Sequence, residues 1–396
     1  MALSSIKRLT LYPLAIPLRR KVAHASGERV LADPVVLAIE LMDGTIGHGE
    51  TLARPYVTGE TPDSVIEAAK DVFVDRLLAF HPETFFEGLE SIDALPWHDG
   101  QGRLIAAARA AVELALLDAC SHQFQVTLDQ TVGWAGLTGF GVPGSAPRIR
   151  YSAVLADSTR AGTMKRLRLA WWFGLRDFKL KVGQPDDDRR LRDVLAYLRK
   201  PIARGRASLR LDANGCWTKN EAIDRLGRWS DLPIFSVEQP LAKGAEADLP
   251  EVKACVTTRL MHDESLVTVE DANRLIDRKV ADGFNIRISK CGGLLPSLRL
   301  AHLARKHAVM VQLGCMVGET SILSAAGRRF LEMTPGVRFA EGWYGRFLLT
   351  RDVVRKSLRF GYGGRGHALG RYGLGIEVDH ARLESLCLDR PITLEL

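Results

Sequence analysis

Asp212, Glu238 and Asp263 each stand at the end of a short apolar run, at nearly equal intervals along the chain. Carboxylates without histidine or cysteine among them make an all-oxygen donor set, which suits a hard divalent cation such as Mg²⁺ or Mn²⁺. One aspartate after a strand would usually cap a helix, but three in the same relative position argue for a site. Asn214 and Glu264 lie beside these acids and are candidates to orient them, although an asparagine there could equally close a turn. Lys179 and Lys181 are two apart in one run and therefore point to one side of a strand. Buried, such a pair is costly unless neutralised or used. Near a metal and a second ammonium, Lys181 would hold its proton less tightly, as a base working near neutral pH requires. Lys290 would reach the same centre from the opposite side, and Glu319 follows a later run. Each lysine alone reads as a solvated rim residue. Together with the acids they read as a site.

The elements that must carry these residues are eight apolar runs, 149–155, 177–182, 208–211, 234–237, 259–262, 284–289, 309–313 and 337–340, separated by amphipathic helical stretches. Strands alternating with helices predict a parallel α/β structure, and eight such units are the number that closes a barrel whose strand ends converge on one face. An open doubly wound sheet competes, but no GxGxxG follows any of the strands. Upstream, the runs 6–16, 35–41 and 46–50, with the turn signal Asp43-Gly44 between the last two, predict an antiparallel meander. The stretch 103–120, rich in Ala and Leu and interrupted by Arg109, Glu113 and Asp118, predicts a helix. From Gly345 the chain is Gly-rich and ends in a strand signal at 392–394, so the tail is expected to rejoin the N-terminal part. The division expected is 1–148, 149–344 and 345–396.

With 396 residues, 46% of them hydrophobic, the chain can bury a large core. No apolar stretch long enough to span a membrane and no signal-peptide pattern is present, so a soluble cytoplasmic protein without membrane partners is expected. The six cysteines form no CxxC pair, which speaks against a zinc site or a disulfide framework. The net charge of +7 is spread along the chain without aromatic interleaving. This favours an anionic small-molecule substrate over nucleic acid.

The segments Phe178-Lys179-Leu180-Lys181-Val182-Gly183, Asp212-Ala213-Asn214, Val237-Glu238-Gln239-Pro240, Asp263-Glu264-Ser265 and Lys290-Cys291-Gly292-Gly293 together resemble the muconate lactonizing enzyme subgroup of the enolase superfamily. The resemblance extends over nearly the whole chain, from Val57-Thr58-Gly59-Glu60-Thr61 through the helix at 107–119 to Gly373-Leu374-Gly375. It implies a modified (β/α)7β TIM-like barrel under an α+β capping domain. It also implies Mg²⁺ or Mn²⁺ on Asp212, Glu238 and Asp263, with Lys181 and Lys290 facing the substrate from two sides and Lys179 assisting. The implied chemistry is that of an isomerase removing the proton next to a carboxylate, with the enediolate stabilised by the metal. A homo-oligomer is expected.

Within that subgroup, the first expectation is a muconate-type cycloisomerase. A racemase or epimerase of N-acylamino acids or dipeptides and an o-succinylbenzoate synthase are the alternatives. Many dipeptide epimerases carry Asp-x-Asp after the eighth strand to grip an ammonium; here the chain reads Ala340-Glu341-Gly342-Trp343, so a substrate without a free α-amine is expected. Trp343 could line a pocket or pack a domain junction. His24, Arg54, Tyr56, Glu319 and Glu341 are further candidates for substrate contact. An acid-sugar dehydratase is disfavoured by Lys290 and by the absence of histidine after 309–313, and a noncatalytic barrel by the complete set of acids and lysines.

Overall fold

The computed structural model describes residues 4–24, 27–141, 150–157 and 159–396, with the backbone alone for residues 22–24 and 27–28. The N-terminal alternation forms strands β1 (Ile6–Pro13), β2 (Ile16–His24), β3 (Gly27–Ala32), β4 (Val35–Leu41) and β5 (Ile46–Thr51). The turn at Asp43-Gly44 forms because Gly44 takes φ 88°, while Thr45 N donates to Asp43 Oδ1 at 2.8 Å.

Eight parallel strands follow: β6 (Ala153–Leu155), β7 (Asp177–Lys181), β8 (Ser208–Asp212), β9 (Ser236–Glu238), β10 (Arg259–His262), β11 (Gly283–Ile286), β12 (Met310–Leu313) and β13 (Phe339–Ala340). They pair in sequence order within one sheet. A parallel bridge between Tyr151 and Ala340 links the first edge to the last, with Ser152 N donating to Ala340 O at 2.8 Å. The last strand, β14 (Ile392–Glu395), pairs antiparallel with β1, giving a second sheet in the order β14-β1-β4-β5. The expected boundary at 148/149 and the first residue of the first parallel run lie outside the described residues. The run expected at 284–289 ends as a strand at Ile286, because the backbone then turns and Cys291 N donates to Arg287 O at 2.9 Å. Lys290 therefore sits in a turn and not on a strand. Among the described residues no helix is long and apolar enough to cross a membrane.

The helix Ala106–Gln123 is buried from Ala106 to Ser121 and lies directly on β5. A Cβ on Gly49 would fall 1.9 Å from the Ala111 carbonyl oxygen, so only glycine permits this approach. Glu113 reaches from this helix to accept the N–H groups of Leu294 and Leu295 at 2.9 and 2.7 Å, the first turn of the helix Leu294–Lys306. Glu50, at the end of β5, accepts Thr320 N, Thr320 Oγ1 and Leu323 N at 2.6–2.8 Å at the start of the helix Ser321–Met333. Glu60 does the same for Ala107 and Ala108. A helix start leaves N–H groups without intrahelical partners and carries partial positive charge, so a buried carboxylate there satisfies both sides. The N-terminal sheet and the parallel sheet are joined through two such contacts.

Glu113→Gln should remove one of two acceptor oxygens and strand a buried N–H, destabilising the fold by about 1–3 kcal/mol. Gly293→Ala should cost more, since Gly293 has φ 120° and a Cβ would lie 2.4 Å from the Glu113 side chain. Urea titration of each variant gives the values. Unchanged midpoints would contradict the bridging role.

Candidate active site

The C-terminal ends of β7 to β11 bring the candidate residues together. Parallel register sets Lys181 beside Asp212 and Asp212 beside Glu238, while Glu238 faces Met261, two residues before Asp263. The three acids are fully buried. Lys179 lies among carboxylates: its ammonium is 3.2 Å from Glu238, 3.4 Å from Asp212 and 2.8 Å from Glu341. Burial alone would lower its proton affinity, but Glu238, Glu341 and Asp212 hold it well above the ordinary lysine value. Conversely, burial would raise Glu238, yet Lys179, Arg287 and Arg210 hold it down at about 2.

Lys181 is half-buried and donates to Asn214 Oδ1 at 2.9 Å. Burial lowers its pKa, the nearby Lys179 and Arg287 lower it further, and Asp212 opposes them. Lys290 is fully buried at the other end of the row of acids and donates to Asp263 O, Asp263 Oδ1 and Asn285 O at 2.6, 3.0 and 2.9 Å. Burial pulls it down to about 8.

Glu264 differs from its neighbours. Both of its oxygens are buried without a hydrogen-bond partner, and burial together with Asp212 raises its pKa to about 7. An unpartnered carboxylate beside three others marks a place short of positive charge, and its all-oxygen surroundings fit a hard divalent cation. Among the described residues, no three acidic, histidine or cysteine side chains are gathered ready to hold an ion. The reason is visible in the contacts: Asp263 is engaged by Arg287 and Lys290, and Glu238 by Lys179, Asn285 and Gln312. Coordination requires these oxygens to turn from their ammonium and amide partners.

Asn214 and Gln239, each just past a metal-ligand candidate, have φ 46° and 40°, and Trp343 past Glu341 has φ 59°. Left-handed backbone at residues other than glycine costs energy and persists where the surroundings impose it. Gln239 shows how: its Oε1 accepts Asp263 N and Ser265 N, tying the β9 loop to the β10 loop.

The remaining candidates scatter. Glu341 pairs with Lys179 and with Arg210 at 3.4 Å. Trp343 is buried, stacks on Tyr151 at 5.3 Å and donates Nε1 to Ser324 O, so packing is its observed role. Glu319 is buried, accepts Met316 N and Ser324 Oγ, and is pushed up to about 8 by burial, with Glu50 adding to it. Arg54 is buried against Asp33 at 2.8 Å. Tyr56 is half-buried in the short helix Pro55–Thr58. His24 ends β2, and its side chain lies outside the described residues. Sequence reading passed over Arg210, Asn285, Arg287 and Gln312, which hold the acids in place. The signal was available: Arg210 is two residues before Asp212, Asn285 and Gln312 interrupt the apolar strands β11 and β12, and Arg287 follows Asn285 by two.

The chain matches the family described as enolase C-terminal domain-like over residues 164–382, more than half its length, and it belongs to that family. An N-succinyl-L-Arg/Lys racemase of Bacillus cereus is 27% identical over 81% of this chain and 82% of its own. Muconate cycloisomerase 1-2 of Acinetobacter lwoffii is 27% identical over 90% and 88%. The solved dipeptide epimerase of Cytophaga hutchinsonii, complexed with Mg and D-Ala-L-Val, superposes with a TM-score of 0.80 at 21% identity over 99% of this chain and 100% of that one. The chain is an isomerase of the enolase superfamily, as its sequence implied.

Lys179→Met should leave Asp212, Glu238 and Glu341 without the ammonium they share, with Arg210 alone paired to Glu341, and destabilise the fold by about 3–5 kcal/mol. The pH profile should carry a signature. Because the folded pKa of Glu238 is depressed from 4.5 to about 2, its stabilisation is present above 4.5 and lost as pH falls toward 2. Denaturant midpoints across that window should fall in the wild type and flatten in Lys179→Met.

Proposed function

We propose that this isomerase inverts the α-carbon of an amino-acid carboxylate whose amine is acylated. The observation that carries this is the position of Lys181 and Lys290 at opposite ends of the row Asp212, Glu238, Asp263. A carbon held over that row has one lysine on each face. Inversion needs two bases, one taking the proton from either enantiomer and its partner returning one. A cycloisomerase needs only one, so racemisation or epimerisation takes precedence over the cycloisomerisation expected first.

Asp212, Glu238 and Asp263 would hold Mg²⁺ or Mn²⁺, with Glu264 adding negative charge. When bound, the ion withdraws charge from the substrate carboxylate and so acidifies its α-proton. Lys179 keeps Glu238 ionised and in place, and Asn214 positions the Lys181 amine. The acyl group follows from β13: Glu341 is already neutralised by Lys179 and Arg210, and Trp343 is packed, so no acid there is free to grip an ammonium. Arg54 and Tyr56 are the capping unit's candidates for the acyl tail, together with His24, since their loop meets the parallel sheet through Thr51–Ser289 at 2.7 Å and Lys243–Val57 at 2.6 Å. Eight parallel strands with a Tyr151–Ala340 bridge support reading 149–344 as a modified (β/α)7β barrel, capped by 1–148 and by the returning tail 345–396.

A panel of N-acylamino acids, dipeptides and muconates in D₂O tests the reading. Exchange and inversion of N-acylamino acids are expected, abolished by EDTA. Lys181→Ala and Lys290→Ala should each lose exchange from one enantiomer only. Turnover confined to muconates, or loss of proton transfer in one lysine variant alone, would sink inversion. For the metal, calorimetry of Mg²⁺ with Glu238→Gln should show weakened binding, and unchanged affinity would refute the ligand assignment.

A further inference from the structure

The two lysines of the site are held from different parts of the molecule. Lys181 sits on β7, and the polar and charged groups around its amine, Asn214, Asp212, Lys179, Arg287 and Glu264, all belong to the strands and loops of the parallel sheet. Lys290 is different. Its ammonium rests on Asp263 and Asn285 of that sheet, but the backbone that carries it, the turn from Arg287 to Gly293, is gripped from the N-terminal part on both sides of the lysine.

On one side, the Ser289 hydroxyl lies 2.7 Å from Thr51 Oγ1 and accepts Leu52 N at 3.1 Å. Ser289, Thr51 and Leu52 are all buried. On the other side, the Arg109 guanidinium, 4.7 Å over the Trp97 ring, donates to Gly292 O at 2.6 Å. Gly292 has φ 79°, and a Cβ there would fall 2.5 Å from Trp97, so the turn packs directly on the indole. Arg109 also ties Ile92, Asp93 and Leu95, which makes it part of the general framework. Ser289 is more selective: among the described residues its side chain bonds Thr51 and Leu52 alone, and it directly precedes the lysine.

We propose that Ser289 is a positioning residue, which through Thr51 and Leu52 sets the reach of Lys290, so that the N-terminal part governs one base of the pair and not its partner. Such a role presupposes the two-base inversion proposed above. A lysine amine stands on a flexible four-carbon stem, so its reach depends on where its backbone is held. A shift of about 1 Å in a reacting group can cost on the order of a hundredfold in rate.

Deuterium entry from D₂O is followed separately for each enantiomer of the N-acylamino acid turned over fastest, with Mg²⁺ present. Lys290→Ala first identifies the enantiomer whose proton Lys290 takes. Ser289→Ala should slow exchange from that enantiomer by on the order of tenfold to a hundredfold, while exchange from its mirror image continues near the wild-type rate. Inversion should fall alike in both directions, because enantiomers are equal in energy; the spared exchange therefore proceeds with retention. Thr51→Val should skew exchange the same way by less, since Leu52 N still donates to Ser289, and Thr51→Ser should restore the wild-type balance. This pair carries the test if Ser289→Ala melts below the wild type. A merely structural hydroxyl would lower both exchanges in equal proportion, and that result would overturn the proposal even where Lys290→Ala is one-sided. Lys290→Ala losing exchange from both enantiomers, or from neither, would instead sink two-base inversion and the positioning role with it.

Discussion

The ammonium of Lys179, enclosed by Asp212, Glu238 and Glu341, is the interaction on which the site depends. Four segments of chain, β7, β8, β9 and the loop after β13, contribute charges to it. None of these groups could be buried alone. Taking a carboxylate out of water costs several kcal/mol, and opposite charges within about 3 Å offset that cost only with good geometry. Asn285 and Gln312 complete the geometry by donating to the two Glu238 oxygens that also face Lys179, and Arg210 pairs with the Glu341 oxygen that Lys179 leaves free. Only with this negative charge matched can Lys181 and Lys290 stand at the ends of the row with weakened proton affinity.

The matching is incomplete at one point. Glu264 has no hydrogen-bond partner, so its charge is the one in the row that no contact meets. Such a group can be met by protonation or by a cation, and burial together with Asp212 raises the pKa of Glu264 to about 7. An unmet carboxylate among oxygen donors supports the hard metal ion proposed for this site. The oxygens of the other acids nonetheless rest on ammonium and amide partners, which also keeps the acids from repelling one another apart.

Much of this was legible in the sequence. The acids and lysines were recognisable because strand ends of a parallel sheet meet on one face, so that regular spacing translates into proximity. The strands themselves were legible because β-branched and apolar runs bounded by turn residues have few alternatives; β4 and β10 have the extents expected. What was not legible depended on side-chain direction. Nothing in Ala340-Glu341-Gly342-Trp343 reveals that Glu341 turns inward to Lys179 while Trp343 packs on Tyr151. Glu50, Glu60 and Glu113 read as ordinary charged residues, since the N–H groups they satisfy belong to distant segments whose ends carry no matching sequence mark.

Those glutamates bear on how the chain is made. Glu50 and Glu113 leave the ribosome long before Leu323 and Leu294, and β1 waits for β14. At about 5–20 residues per second the N-terminal helices and sheet spend many seconds with buried acceptors unmatched and one edge of the sheet unpaired. The sheet that holds β1, β4 and β5 is therefore among the last parts to reach its final form, and a ribosome-bound fragment ending before Leu294 carries an interface with nothing to close it.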